Sequence, residues 1–331
     1  MLKRHIAWTL LLAALLAAGG CAASPSPAGQ DASPSPSQDA SPSPAPSGEE
    51  TVFFTDSLGQ EFTLPRPRRV AALIGSFADI WLLAGGEDTL AATANDAWES
   101  YGLELGDEVA NIGSGMKPSA ELVLAAQPDF ILASSISSSN LELRETFDRA
   151  GIPAAYFDVA SFDDYLELLE LCTRLTGCPE KYQEHGVQVK ARADAALARQ
   201  DGSAPTVLII QASGSSCTVK GSGGNVLGGL LADLGCVNIA DRDGALLEDL
   251  SLEAIIQADP DYIFAVYHGT DTAAAQENLE ASLLSNPAWA GLRAVREGRF
   301  YTMDRRLFSL KPNALWGESY ETLADILYPA P

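Results

Sequence analysis

The chain has 331 residues, with 21 Lys and Arg against 44 Asp and Glu and a formal charge of −23. That balance excludes a nucleic-acid-binding body and a basic membrane-surface patch, since both need clustered cations to meet phosphate. Beyond the first fifty residues the chain is long enough for two domains of ordinary size with cores of their own.

Lys3 and Arg4, an apolar run from Ile6 to Ala18 and small residues ending at Cys21 follow the order of a secretory signal peptide, here residues 1–20. The run is shorter than the about 20 apolar residues that cross a bilayer. The stretch AAGGC resembles the lipobox of bacterial lipoproteins, in which the cysteine is acylated and becomes the first mature residue; Ala18 stands where that family usually has Leu. The alternative is a free Cys21 left by ordinary cleavage. The resemblance implies an extracytoplasmic protein, lipid-anchored to the cell membrane. From Ala22 to Glu50 the chain is mostly Ser, Pro, Ala, Gln and Asp, and ASPSP starts at Ala23, Ala32 and Ala40. Such a segment cannot bury a core, so residues 21–50 are expected to be the lipidated cysteine and a disordered tether.

An N-terminal α/β lobe is expected over 51–160, with strands near Arg69–Ile74, Phe130–Ala133 and Ala154–Phe157 and helical patterns over Phe77–Leu83 and Leu141–Ala150. Connecting helices follow over 161–200, reading as Phe162–Thr176 and Glu180–Ala198, one of them a rigid strut. A C-terminal α/β lobe over 201–331 has strands near Thr206–Gln211, Tyr262–Tyr267 and Arg299–Met303. Alternating strands and helices imply a parallel sheet in each lobe. Beyond Cys21 the cysteines are Cys172, Cys178, Cys217 and Cys236, without a CxxC pair. Cys172 with Cys178 is the locally available disulfide; buried free thiols are the alternative.

An internal repeat supports the two-lobe reading. SAELVLAAQPDFILA from Ser119 matches SLEAIIQADPDYIFA from Ser251 without a gap, each reading as a Ser-capped helix, a Pro-Asp break and a buried strand.

Six segments in order, FTDSLGQEFTLPRPRRVAAL, PSAELVLAAQPDFIL, GGNVLGGLLADLGCVNIA, LSLEAIIQADPDYIF, NPAWAGLRAVREGRFYTMD and WGESYETLADILYP, resemble the iron-complex, haem and cobalamin class of ABC-importer substrate-binding proteins. The resemblance covers Thr51 to Pro331. It implies two Rossmann-like lobes joined by a long helical backbone with little hinge motion (the class III arrangement), a monomer that holds a small ligand in the cleft, and an ABC permease with its ATPase as partners. It also implies that Glu121 and Glu253, equivalent positions of the repeat, dock to permease arginines; like-placed carboxylates suit a two-fold partner. The bland alternative is a first-turn Glu serving its helix dipole.

For the ligand, soft donors are few: after Met1 and His5 only Met116, Met303, His185 and His268 remain. Met116 lies in IGSGMKPS before the first repeat helix, and His268 in VYHGT after the second repeat strand, where open α/β folds bind ligands. A methionine and a histidine from two lobes suit the two faces of haem iron. The pair also resembles haem-receptor lipoproteins of the iron-regulated surface determinant type. Alone, such a Met is more often packing filler and such a His hydrogen-bonded structure. Tyr267 is a fallback iron ligand, and His185 reads as a solvated surface residue. Backbone N–H groups at Ser76 and Phe77 suit a propionate, or ordinary helix capping; Trp98 and Tyr101 suit stacking on a macrocycle, or core packing. A ferric siderophore would use Arg305, Arg306 and Trp316 instead. Cobalamin would need only stacking.

An enzyme is the contrasting class. GxGxxG after a strand, GxxxxGK[ST] and GxSxG are all missing and His is scarce, so no catalytic residues or catalytic cofactor are expected. The Gly221–Asn225 stretch GSGGN reads as a loop into a helix from Val226.

Overall fold

The chain enters its folded body through a hairpin, β1 (Thr51–Thr55) and β2 (Glu61–Pro65). In β1 the residues alternate, so Val52 and Phe54 are buried while Thr51, Phe53 and Thr55 face out. One oxygen of Asp56 accepts the Leu58 and Gln60 N–H groups at 3.0 and 2.9 Å and closes the turn; the other accepts the Tyr156 N–H and pins the hairpin to the first lobe. The computed structural model describes residues 50–242, 247, 251–269 and 271–329. The expected signal peptide, Cys21 and nearly all of the tether lie outside the described residues.

The first lobe is built from β3 (Val70–Ala72), β4 (Leu90–Thr93), β5 (Ala110–Asn111), the small hairpin β6 (Gly113–Ser114) and β7 (Lys117–Pro118), β8 (Phe130–Ser134) and β9 (Ala154–Phe157). The sheet order is β5-β4-β3-β8-β9 and every pair is parallel. All residues of β3, β4, β8 and β9 are buried. Continuous apolar runs such as FIL and AAYF are what a sheet covered on both faces requires. Strand order reverses between β3 and β8, which opens a crevice at the carboxyl ends. The expected Leu141–Ala150 helix is two short ones, Ser138–Leu141 and Arg144–Ala150.

The second lobe holds β10 (Thr206–Ala212), β11 (Cys217–Lys220), β12 (Val237–Asn238), β13 (Tyr262–Tyr267) and β14 (Phe300–Met303), ordered β11-β10-β13-β14 with β12 also beside β10. The expected parallel sheet has one exception, β11, which runs antiparallel to β10. The tight SGSS turn between them leaves no room for a crossover, so only antiparallel pairing is open. As expected, the GSGGN loop runs into a helix, Val226–Asp233, capped by Asn225.

The helix Phe162–Thr176 starts in a Ser161–Asp164 capping box and ends at Gly177, whose φ of 82° suits glycine. The second connecting helix runs on as expected but widens within it: Glu180–Tyr182 and Gln188–Leu197 are joined through a π-helical turn over Gln183–Val187, with helical backbone at both junctions. There the Tyr165 hydroxyl donates to the His185 carbonyl at 2.8 Å, and the Tyr182 ring lies so close to Gly186 that a Cβ would sit 2.8 Å from it. The C-terminal helix Trp316–Leu327 lies along Gln188–Leu197, where Gly317 permits close approach to the Val189 carbonyl. Arg192 grips Glu321 at 2.9 and 2.6 Å and Arg199 meets Asp325 at 2.6 Å, pairs that fix alignment more than they stabilise.

One apolar cluster runs through both lobes, from Val70, Phe77 and Phe130 through Tyr165 and Leu169 to Val207, Phe264 and Leu323. Separate clusters cover the far sheet faces, around Ile131 and Phe147 in the first lobe and Ile210 and Trp289 in the second. Each buried Leu or Phe contributes about 1.5–3 kcal/mol.

The repeat is structural. Ser119 and Ser251 accept the Leu122 and Ala254 N–H groups and cap the helices Ala120–Ala125 and Leu252–Ala258. Each unit then turns through a left-handed residue, Gln127 (φ 49°) or Asp259 (φ 40°). Next, Asp129 accepts the Arg68 and Arg69 N–H groups, and Asp261 accepts the Thr206 N–H and hydroxyl, so each Asp clamps the start of the neighbouring strand. Of the two alternatives for Cys172 and Cys178, a disulfide or free thiols, the structure has free thiols. All four cysteines of the body are free, and Cys172 is packed in the core.

Candidate functional site

An open cleft of about 580 Å³ lies at the carboxyl ends of β13 and β14, lined by Tyr267, Gln276, Thr302, Met303, Asp304 and Arg305 among others. Two of the sequence-derived candidates, Tyr267 and Arg305, are thus brought together. Asp304 accepts the Arg306 and Leu307 N–H groups through Oδ1 and starts the short helix Arg305–Phe308. The Arg305 Nη2 reaches the Ser100 hydroxyl of the first lobe at 3.3 Å.

Beside the cleft a polar bridge joins the lobes. Arg306 Nη2 donates to Asp79 at 2.9 Å, its Nη1 to the carbonyls of Lys311 and Pro312, and its guanidinium lies 4.5 Å from the centre of the Tyr101 ring. The amide of Asn313 donates to Asp79 at 2.8 Å and to the Ser76 carbonyl at 3.0 Å. Lys311 reaches the Val159 carbonyl. Burial pushes the Asp79 carboxyl above the ordinary aspartate range despite Asn313 and Arg306, and burial likewise raises the Tyr101 phenol. Arg306 and Tyr101 therefore help hold the lobes together. Sequence reading missed Asp79 and Asn313. The signal was there for Asp79, a lone charge inside the apolar helix FADIWLL.

Other candidates are placed differently again. Phe77 is wholly buried, and its N–H is bonded to the Ile74 carbonyl. The adjoining Gly75 N–H already has an anion, the Asp96 carboxylate at 2.9 Å, so this helix start is capped from within. Trp316 is buried against Phe162 and Tyr320. Trp98 is half-buried against the core. His185 is half-buried where a solvated residue was expected, and burial lowers its basicity.

Met116 is 86% exposed at the tip of the β6–β7 turn. The turn rests on the first lobe: the Asn95 N–H donates to the Gly113 carbonyl, and a Cβ on Gly115 would lie 3.0 Å from the Asp96 carboxylate. His268 is exposed just beyond β13; its backbone N–H donates to the Ala212 carbonyl, and its imidazole makes no hydrogen bond among the described residues. Glu121 and Glu253 are exposed in the first turns of the two repeat helices. Among the described residues no cluster of three or more His, Cys, Asp or Glu could hold a bare metal ion, and no helix is long and apolar enough to cross a membrane.

Two α/β lobes bridged by helices, with a cleft at the strand ends, define a two-lobed binding protein. The chain belongs to the periplasmic binding protein family, whose model matches residues 70–307. It is 24% identical over 290 residues to YhfQ of Bacillus subtilis (strain 168), named as a candidate ABC transporter substrate-binding lipoprotein, covering 80% of this chain and 84% of that one. Among solved structures it is similar to the periplasmic heme-binding protein RhuT of Roseiflexus sp. RS-1 in apo form, with TM-score 0.63, 24% identity, and coverage of 79% of this chain and 98% of RhuT. It is also similar to Staphylococcus aureus SirA complexed with staphyloferrin B, with TM-score 0.61, 18% identity and coverage of 84% and 97%. The likenesses to the solved structures carry the fold.

Proposed function

We propose that this protein is the lipid-anchored, extracytoplasmic receptor of an ABC importer, which captures haem or a related iron complex between its lobes and hands it to the permease. The observation that carries the haem reading is the exposure of Met116. A methionine that packs against almost nothing is not packing filler, and a thioether held out on an anchored turn is free to meet a ligand. His268 supports it, since its ring has no hydrogen-bonding duty among the described residues. The heme in the name of RhuT and the staphyloferrin B bound to SirA support a ligand of this general kind.

The test is an absorption spectrum of the protein after haem exposure and desalting. A retained Soret band is expected. Met116→Ala should shift the visible bands, and His268→Ala should weaken retention more, imidazole being the stronger ligand of ferric iron. A Soret band lost on desalting would eliminate haem and leave a ferric siderophore or cobalamin as the ligand. In this reading Glu121 and Glu253 dock to the permease, and Cys21 carries the anchor.

A further inference from the structure

We infer that the outer edge of β1 is a docking site for an extended segment of a partner protein, which adds there as an antiparallel strand and carries a basic residue at its start and an acidic one at its end. The inference is independent of the ligand in the cleft. β1 pairs with β2 alone. The Asp56 N–H donates to the Gln60 carbonyl at 3.0 Å, which sets the phase of the ladder. Phe54 with Phe62 and Val52 with Leu64 are the bonded pairs, and the N–H and C=O groups of Thr51, Phe53 and Thr55 turn away from β2. Pro65, which has no N–H to give, stands opposite Thr51, as this phase requires. Among the described residues nothing bonds to the outward row. Native sheets blunt such an edge with lysine, proline or a bulge; TVFFT has none of them, and Phe53 is 58% exposed.

The edge is also shaped to receive a strand. Two cavities of about 530 and 450 Å³ lie along it and meet at Phe53 and Arg174. Between them they are lined by every residue from Thr51 to Ser57, as an edge requires; a face would show alternate residues. The opposite wall is the helix Phe162–Thr176, through Leu168, Leu171 and Arg174 at helical spacing. Charge gives the occupant its ends. The cavity beside Thr55 holds Asp158, Asp164 and Glu167. Towards Thr51 the charges are the Arg66–Glu50 pair and Arg174, which has no hydrogen bond or ion pair among the described residues. Antiparallel pairing, the more stable kind, runs the guest from Thr55 towards Thr51, so its basic residue leads and its acidic residue ends at Arg174. Main-chain bonds supply the affinity and the end charges the register.

The experiment adds the capped peptides acetyl-KTVTVE-amide and acetyl-ETVTVK-amide to the full-length protein and follows the amide NMR signals of Thr51, Phe53 and Thr55, with thermal melting of each variant to confirm folding. The first peptide should shift those amides and bind about fivefold more tightly than the second. Glu167→Lys combined with Arg174→Glu, both at exposed positions, should reverse that preference. Thr55→Pro, which removes an outward N–H that β2 does not use, should weaken both peptides by about fivefold. A parent whose β1 amides respond to neither peptide, or that binds the two equally, overturns the inference. A parent that sediments as a dimer which Thr55→Pro dissolves gives the edge to a second copy and overturns it too. Each of these failures leaves the receptor reading standing.

Discussion

Replacing Asp79 by alanine removes the acceptor at the centre of the bridge between the lobes. The substitution strands the Asn313 amide, which is wholly buried, and one arm of Arg306. A hydrogen bond to a charged group is worth roughly 1.5–3 kcal/mol, and stranding a buried charge costs more. Arg306 keeps two carbonyls and the Tyr101 ring, and Asn313 keeps the Ser76 carbonyl, so the cost belongs near the lower end, about 3 kcal/mol. In a body of this size that is a fall in Tm of roughly 6–12 °C by calorimetry. Asp79→Asn keeps an acceptor and should cost about half as much. The difference between Asp79→Asn and the parent should also depend on pH. Because burial holds the folded carboxyl above the ordinary 3.8, the folded state binds more protons than the unfolded one between those two values. The parent must therefore lose stability relative to Asp79→Asn as pH rises through that window, and hold a constant difference above it. An Asp79→Ala protein that melts within 2 °C of the parent would refute the bridge as a structural element.

Three further outcomes are expected. Gln127→Gly, at a left-handed position before a proline, should stabilise the protein by about 0.5–1 kcal/mol in urea denaturation, whereas glycine at Asp259 should gain less because that carboxylate also holds the Arg293 N–H at 2.8 Å. Charge reversal at both Glu121 and Glu253 should abolish uptake in cells while ligand titration is unchanged; normal uptake would remove them from docking. Cys21→Ala should move the protein from the membrane fraction to the medium, and persistence in the membrane fraction would remove Cys21 as the anchor.

The parts of the fold that could be read from the sequence are those that burial dictates locally. The runs FIL and AAYF have no polar face, so they announce covered parallel strands, and the Ser-to-Pro-Asp spacing announces both repeat units. What stayed hidden depends on contacts distant in sequence. Nothing around Trp316 distinguishes a ring in the core from a ring in a cleft; it is buried because Phe162, more than 150 residues earlier, lies against it. Arg305 and Arg306 are neighbours in one helix, yet one makes a single hydrogen bond, to Ser100, and the other is spent on several partners, because Asp79 and Tyr101 come from the opposite lobe. The π-helical turn at Gln183–Val187 escaped a periodicity reading because its residues are ordinary helix formers apart from Gly186.

The apolar cluster common to both sheets has a consequence for how such a chain can be divided. Val70 and Phe130 from one sheet, Val207 and Phe264 from the other, and the helices between them share one interior. Neither half could be cut free without wetting the face it lends to the other, so the halves cannot be traded between relatives like beads on a string. The two halves marked by the twin Asp clamps therefore stand or fall as one body, and the loops at the strand ends are the parts free to vary without disturbing that interior.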